Sequence, residues 1–343
     1  MRLTACLRKS PATIVEVVDV LCQLSKPELL DDILKIPLLD INVCDTTGKT
    51  PFYVACLAGS EEIVGKLAPL LAVDANRGKL NGATPLYAAC KNGHLGVVTI
   101  LLSNPKIAVN RAKITGETPF YAACQEGHFE VMREMIRDPT VDVNASTDTI
   151  PTAFFTACQS GSVAIVRELL QHPAVAVNAP NSTGITPFAV ACFKQNFEVI
   201  DLLLESLRID VNRGNKTRAS AFLISSRSEN FKVTKKLLDH PRIDINLASN
   251  DGITPLMAAA YSGNMVTIKL LLHSNRDVNT RGLWENKTAL AVAVNQGFDN
   301  IASEIQKYDE KGRLLFFFSF FFLHKRRGNA NSLVFFVVSR RQK

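Results

Sequence analysis

The amino-acid sequence predicts an all-α solenoid of stacked helix-turn-helix units with short β-hairpin-like finger loops. Thr-Pro-Leu-Tyr-Ala-Ala-Cys at residues 84–90 returns 34 residues later as Thr-Pro-Phe-Tyr-Ala-Ala-Cys at 118–124. A Thr or Ser holds that phase along almost the whole chain, and each interval contains an apolar stripe of helical period. Such self-similarity is typical of repeats that bury their apolar faces only against their neighbours. The recurring positions are Thr50, Thr84, Thr118, Thr152, Thr186, Ser220, Thr254 and Thr288.

The first helix of each unit is predicted from its two ends. In the unit that begins at Thr84, this Thr suits the N-cap and Pro85 suits the first helical position, where its missing N–H costs nothing. Gly93 ends the helix, because glycine adopts the left-handed conformation there at little cost.

The second helix is predicted from one apolar stripe. Val97, Val98, Leu101 and Leu102 recur at the helical period, and Pro105 marks the end of the helix. A Thr-Gly turn at residues 115–116 precedes the next unit, so a short projecting finger is expected there.

These features together resemble the ankyrin repeat. The shared pattern is Thr-Pro-Leu/Phe-Tyr-x-Ala-Cys, then Gly-His, an apolar helix and Val-Asn. The family's usual motif is T-P-L-H-x-A with a period of 33. This chain has one extra residue before Val-Asn, and Tyr53, Tyr87 and Tyr121 stand where the family has His. The resemblance covers roughly residues 16–308 and implies an ankyrin solenoid that binds proteins.

The copies differ in quality, which suggests three regions. We expect residues 1–49 to form a degenerate N-terminal capping repeat, 50–308 the repeat array, and 309–343 a Phe-rich basic tail outside the fold. Gln195 and Glu229 replace the helix-ending Gly, at a cost of about 1 kcal/mol each if the left-handed conformation is kept. The stack is therefore expected to be weakest between about residues 190 and 250. This region is either the result of neutral drift in a tolerant array, or a hinge or binding place for a partner.

The charge of the chain is concentrated at its C-terminal end. The net charge is +7, but residues 311–343 hold eight basic residues and no acid, which leaves 31 basic against 32 acidic residues in 1–310. The repeat body is neutral, which disfavours nucleic acid as a partner. Binding of an anionic polymer through local cations is a weaker alternative, and it requires a steep dependence of affinity on salt.

The fingers supply the first group of candidate partner-binding residues. Their cations would favour an acidic partner protein, although ordinary solvated loops carry charge too. Trp284, the only Trp, lies in the last finger and either anchors a partner or covers the end of the stack. The finger cations are Arg77, Lys79, Arg111, Lys113, Arg213, Lys216, Arg218 and Arg281.

The exposed first-helix positions that follow Cys90 and its counterparts in the other repeats supply the second group. Phe193 and Tyr261 are the expected anchors, because large aromatic residues are unusual at an otherwise polar position. The candidates are Lys91, Asn92, Gln125, Glu126, Phe193, Lys194, Arg227 and Tyr261.

Cysteines recur at one repeat position and are expected to be buried packing residues. Packed helices lie about 8–10 Å apart, beyond the reach of a disulfide, and the chain has no C-x-x-C pair. Free thiols in a core indicate a reducing compartment, so the cytoplasm is expected and the nucleus stays open. This Cys column comprises Cys22, Cys56, Cys90, Cys124, Cys158 and Cys192, and then Ser226, Ala260 and Val294.

Catalytic motifs are missing from the sequence. It contains no phosphate-binding glycine loop and no nucleophile elbow, and its histidines recur at repeat positions, so we expect neither an enzyme nor a cofactor or metal. The resemblance implies one modification, hydroxylation of asparagines in the Val-Asn turns, although a hydrogen-bonding turn role is the stronger expectation. The matching positions are Asn110, Asn144, Asn178, Asn212 and Asn246.

The C-terminal tail has three interpretations. Residues 314–323 form a Phe-rich run of ten residues before His-Lys-Arg-Arg, which is too short for a spanning helix of about 20 residues. The run is a membrane-surface anchor, an aggregation-prone or partner-binding tail, or the translation of a non-coding stretch. We favour the last. The N-terminus shows no apolar run typical of a signal peptide.

The sequence therefore predicts a monomeric, non-catalytic protein–protein interaction scaffold. It would bind its partner through finger loops and first-helix faces. The alternative is a membrane-peripheral adaptor anchored by the tail, and membrane contact is expected only through residues 311–343.

Overall fold

Each predicted repeat is a pair of short helices. The structure is a computed structural model that describes residues 13–36, 39–228 and 231–310. The pairs are α1 (Thr13–Leu24) and α2 (Glu28–Leu34), α3 (Pro51–Ala58) and α4 (Glu61–Leu67), α5 (Pro85–Asn92) and α6 (Leu95–Leu102), α7 (Pro119–Glu126) and α8 (Phe129–Met135), α9 (Ala153–Ser160) and α10 (Val163–Gln171), α11 (Pro187–Lys194) and α12 (Phe197–Glu205), α13 (Ala221–Arg227) and α14 (Phe231–Leu238), α15 (Pro255–Tyr261) and α16 (Met265–Leu272), and α17 (Ala289–Asn295) and α18 (299–310).

The helices form two rows with the apolar core between them. Each first helix packs against the first helices of the neighbouring pairs, and the second helices form a row of their own. Phe52, Phe120, Phe154 and Phe222, one from each of four first helices, are among the largest fully buried side chains. The described residues contain no strand, only an isolated β-bridge between Trp284 and Lys287. The predicted all-α solenoid is confirmed.

The first helices begin at the predicted Thr caps. The Thr84 hydroxyl accepts a hydrogen bond from the Tyr87 amide at 3.1 Å. The cap persists where the following Pro is lost, because Thr152 accepts from Phe155 and Ser220 from Leu223 at 3.2 Å each. The hydroxyl cap is therefore the constant feature of these helix starts, and the Pro is not required.

The first helices end where the sequence predicted. Gly93 has a left-handed φ of 77°, and Gln195 adopts the same conformation with a φ of 61°. The non-glycine residue thus keeps the strained backbone, as expected for a position whose geometry the repeat imposes. Glu229 lies outside the described residues.

The residue that follows this helix end bonds to the preceding repeat. His94 Nε2 lies 2.9 Å from the Leu57 carbonyl oxygen, and His128 Nε2 lies 2.9 Å from that of Lys91. Because a carbonyl only accepts, the Nε2 atom of each ring carries the proton. Asn196 performs the same role by donating Nδ2–H to the Cys158 carbonyl at 2.9 Å. The structural role predicted for these histidines is thereby explained.

The finger loops are short hairpin-like turns. Lys79 N donates to the Ala83 carbonyl at 3.0 Å and Gly82 N donates to the Lys79 carbonyl at 2.8 Å. Neighbouring fingers are also joined, because Ile114 N donates to the Asn81 carbonyl at 2.9 Å. The fingers therefore continue the stack rather than projecting singly.

A ladder of asparagines joins the turns of successive repeats. Asn178 Nδ2 donates to the Arg208 carbonyl at 2.8 Å, and its Oδ1 accepts from the Asp210 amide at 2.9 Å. The sequence predicted a hydrogen-bonding turn role, but the bonds go to the next repeat rather than within the turn. The Asn ladder comprises Asn42, Asn76, Asn110, Asn144, Asn178, Asn212 and Asn246.

An arginine clasp, absent from the sequence predictions, strengthens the C-terminal half of the stack. The Arg208 guanidinium donates to four carbonyls of the preceding repeat, with Nη–O distances from 2.7 to 3.2 Å. These carbonyls, Leu170, His172, Pro173 and Val175, lie at and beyond the end of α10, where backbone acceptors lack helical partners. Arg242 and Arg276 bond the two following repeats in the same way.

The Cys column lies in the core, as predicted for most of its positions. Burial raises the pKa of the Cys90, Cys124 and Cys158 thiols well above the ordinary value. Cys22 is only half-buried, and burial, with the Asp19 carboxylate, raises its pKa to about 11. The prediction was wrong for Val294, which is 55% exposed, because no described helix packs on the outer side of α17.

The Asn ladder predicts a large loss of stability on substitution of one rung. Asn178→Ala removes both bonds and leaves the Arg208 carbonyl and the Asp210 amide without their partner, so the free energy of unfolding should fall by about 1–3 kcal/mol. Chemical denaturation followed by circular dichroism measures this change. Asn295→Ala at the exposed end of α17 is the control and should cost less than about 0.5 kcal/mol. Equal losses in the two variants would contradict the role of the ladder.

The buried thiols predict a loss of stability at alkaline pH. Below pH 9.0, the ordinary thiol pKa, folded and unfolded chains both keep these protons. Above it only the unfolded chain loses them, so stability falls as pH rises, by roughly 1 kcal/mol per thiol at pH 10. Burial raises the pKa of Tyr53 to about 12, which acts in the same direction.

A triple variant isolates the thiol contribution to this alkaline effect. Cys90→Ala, Cys124→Ala and Cys158→Ala together should reduce the fall in unfolding free energy between about pH 8 and pH 10. Alanine is already tolerated in this column, since Ala260 is fully buried there. An unchanged pH dependence in the variant would show that the thiols do not cause the fall.

Candidate partner-binding surface

Finger loops and first helices share one face of the stack, which we call the finger face. Both elements line a groove of about 350 Å³. Thr149 and Pro151 come from one finger, Phe155 from α9, and Val190 and Phe193 from α11. A ligand in this groove would touch loops and helices of two consecutive repeats.

The predicted finger cations divide into two groups. Arg77 and Arg111 are exposed, and Arg111 also donates to the Asn76 carbonyl at 3.2 Å. Lys79 and Lys113 are only half-exposed. The remaining exposed cations are Arg213, Lys216, Arg218 and Arg281.

Lys113 is neutralised within its own finger. Its Nζ lies 2.8 Å from Glu117 Oε1 and 5.5 Å from the centre of the Tyr87 ring. Burial alone would lower the pKa of Lys113, but its hydrogen bond with Glu117 and the contact with Tyr87 outweigh burial and raise it. The expected row of finger cations is therefore interrupted at Lys113, and Arg111 is the exposed cation of this finger.

The candidate residues at the ends of α5 and α7 also balance one another. Lys91 Nζ lies 3.9 Å from Glu126 Oε1 across the two helices. Asn92 donates Nδ2–H to the Ala88 carbonyl of its own helix at 2.8 Å, and Gln125 is exposed. These positions are accessible, but they carry no net charge as a group.

The two predicted aromatic anchors have different surroundings. Phe193 is 72% exposed, and Lys194 Nζ lies 5.8 Å from the centre of its ring. Tyr261 is 43% exposed and packs edge-to-face against Trp284, with ring centres 5.6 Å apart and planes at 74°. Trp284 is half-buried, so it both covers part of the last repeats and stays accessible. Phe193 is the freer of the two anchors.

The groove itself was missed by the sequence analysis. The first-helix column that carries Tyr53, Tyr87, Tyr121 and Phe155 changes to Ala189 in α11. The loss of a ring at this position leaves Phe155 and Val190 to line the groove. The aromatic-to-alanine change was visible in the sequence, but its effect depends on the neighbouring finger.

The described residues offer neither a cluster of metal ligands nor a membrane-spanning helix. No group of three or more His, Cys, Asp or Glu side chains within 13–36, 39–228 and 231–310 could hold a metal ion. Among those residues, no helix has the length and apolar character that crossing a membrane requires. Residues 311–343, on which the membrane-anchor alternative depends, lie outside the described residues.

Comparison with known families agrees with this architecture. A family model described as ankyrin repeats (3 copies) matches residues 16–113, 65–147, 121–215 and 221–312. The chain belongs to the ankyrin-repeat family. No curated protein matches it. Ankyrin repeats in general mediate protein–protein interactions, which places this chain among interaction scaffolds.

The contact between Tyr261 and Trp284 predicts a spectroscopic change. Trp284 is the only Trp, so its fluorescence reports on this end of the ankyrin array. Tyr261→Ala should shift the emission maximum to longer wavelength, because the indole loses its aromatic neighbour and gains water. Phe193→Ala, which alters an exposed aromatic residue two repeats away, should leave the emission unchanged. An unchanged spectrum in Tyr261→Ala would contradict the packing.

Proposed function

We propose that this ankyrin-repeat chain is a non-catalytic scaffold that holds a partner protein against its finger face. The main support is the exposed Phe193 side chain beside a groove that two fingers and two first helices line together. Large aromatic residues beside pockets are typical anchors of protein interfaces. The exposed cations of the fingers would orient an acidic partner before contact.

Two further finger residues support an interface on this face. Leu80 and Ile114 occupy equivalent positions in neighbouring fingers and are 75% and 78% exposed. Their backbones are held by bonds between the fingers, so a partner would meet ordered apolar side chains. Preorganised contacts of this kind lower the entropic cost of association.

The proposed setting of the scaffold is a reducing one. The described residues hold seven cysteines as free thiols, five of them buried in the core. Free thiols in such numbers suit the cytoplasm or the nucleus. We therefore propose that the protein acts there as a monomer.

Site-specific photo-crosslinking in the full-length chain tests the proposed face. A photoreactive phenylalanine at Gln125, Phe193 or Tyr261 should form covalent adducts with the partner in native cells. Matched probes at Arg133, Arg167 and Lys269, which are exposed on second helices, should form few or none. Adducts only from the second helices would place the interface on the opposite row. The absence of specific adducts from all six positions would contradict the scaffold function itself.

A further inference from the structure

Counted from the unit that begins at Thr50, the finger face of repeats five and six is strongly basic. Between residues 179 and 228 the fingers and first helices carry Lys194, Arg213, Lys216, Arg218 and Arg227, all exposed, and no acid. We call these five residues the basic patch. The acids of the same stretch lie elsewhere, in α12 and the turn that follows it. They are Glu198, Asp201, Glu205 and Asp210.

Packing brings the members of the basic patch into one neighbourhood. The two fingers touch, because a Cβ atom added to Gly184 would lie 2.7 Å from the Lys216 backbone nitrogen. Arg227 in α13 holds the repeat position that Phe193 holds in α11. Because the two helices pack side by side, these residues lie one helix spacing, about 10 Å, apart. Arg213, Lys216 and Arg218 share one finger, and Lys194 and Arg227 lie at the ends of two adjacent first helices, so one extended ligand can reach all five cations.

Among the residues that the structure describes, which exclude Glu229, these patch cations form no ion pair, unlike their counterparts in the second and third repeats. In the third repeat Lys113 is paired with Glu117, and Lys91 of the second repeat lies near Glu126. The fifth and sixth fingers contain no acid, and Asp251 of the next finger, which is bonded to the sixth through Asn250, is exposed and forms no ion pair among the described residues. Arg208 also lies in this stretch, but its guanidinium donates hydrogen bonds to four backbone carbonyls, so Arg208 is not part of the patch.

A partly apolar groove opens beside the basic patch. Its apolar walls come from Pro151, Phe155, Ile185, Val190 and Phe193, its polar rim includes Asp148, Gln159 and Asn181, and its volume of about 350 Å³ suits one or two large side chains. Phe193 is 72% exposed at this groove, and Lys194 lies against its ring. A ligand that satisfied only the cations would leave this apolar surface in water.

We propose that the groove at Phe193 and the adjoining basic patch form a docking site for an acidic, extended peptide segment of a partner protein. One aromatic or aliphatic side chain of the peptide enters the groove, and its flanking Asp or Glu carboxylates face the patch. Charge complementarity favours this occupant, and the aliphatic walls at Pro151, Ile185 and Val190 favour an inserted peptide side chain over a nucleic acid base, which needs only an aromatic face on which to stack. This inference rests on the proposed scaffold function and deepens it.

Selection from a random dodecamer peptide library on the full-length chain tests the docking site. The enriched peptides should carry several Asp or Glu residues next to a large apolar residue. Fluorescence anisotropy of the selected peptides should then show that Lys194→Glu, Arg213→Glu and Lys216→Glu together weaken binding at least tenfold, and that Phe193→Ala weakens it about tenfold. All four residues are exposed, so the variants should melt at the same temperature as the parent chain.

A matched triple variant distinguishes peptide binding at this site from a general effect of positive charge on the array. Arg77→Glu, Lys91→Glu and Arg111→Glu reverse two finger cations and one helix-end cation two to four repeats away, and they should change peptide affinity less than threefold. Equal weakening by the two triple variants, or enrichment of peptides without acidic residues, would overturn the docking site. So would binding of poly(U) RNA that competes with the peptides and is insensitive to Phe193→Ala, because the surface would then be a general polyanion site.

The two proposals fail in different ways. If probes at position 125 or 261 form photo-adducts and Phe193→Ala does not weaken peptide binding, the scaffold function is kept and this docking site is rejected. The absence of specific adducts from every probe would reject the scaffold function, whichever peptides the library returns.

Discussion

A carboxamide that bonds two backbone groups of the next repeat sets the geometry on which this stack depends. Each asparagine of the Asn ladder donates to one carbonyl and accepts from the amide two residues later. Both bonds form only when the next turn lies at the correct height and register. Because apolar packing is non-directional, the hydrophobic core by itself would tolerate some sliding between repeats. The ladder removes that freedom, and it thereby aligns the fingers and first helices into a continuous face.

Further inter-repeat bonds are distributed unevenly along the chain. His94, His128, Asn196 and Asn264 tie the end of one first helix to the next repeat, whereas the arginine clasp occurs, among the described residues, at 208, 242 and 276. Two of these arginines fall between residues 190 and 250, the region expected to be weakest because of Gln195 and other departures from the repeat pattern. The expected weakness came from repeat residues that are replaced there, such as the helix-ending Gly at position 195. Hydrogen bonds from Arg208 and Arg242 to helix-end carbonyls offset part of the stability that these replacements cost.

The finger face divides into two electrostatic environments. In the second and third repeats, Lys91 and Lys113 lie close to Glu126 and Glu117, and apolar fingertips dominate. In the described part of the fifth and sixth repeats the exposed cations form no ion pair, and Lys194 lines a groove beside the exposed Phe193. One solenoid can therefore present different chemistry to different parts of a partner. Repeat proteins achieve this because each unit contacts only its neighbours, so its surface residues can change independently.

The sequence by itself determined the fold, the repeat boundaries and the buried Cys column. Those features are local and periodic: a Thr cap, a helix-ending Gly and an apolar stripe recur every 34 residues, and eight copies in phase make each of them visible. Phe193 and Tyr261 were also recognisable as exposed aromatics from their column. Only the tertiary structure decided which candidate side chains are free. In it, Lys113 pairs with Glu117 and Trp284 packs against Tyr261. The Arg208 guanidinium bonds to carbonyls of the preceding repeat, and Val294 is exposed. The physical reason is that each of these outcomes depends on contacts between side chains of different fingers, helices or repeats, or on a missing neighbour, and periodicity within one repeat carries no information about them.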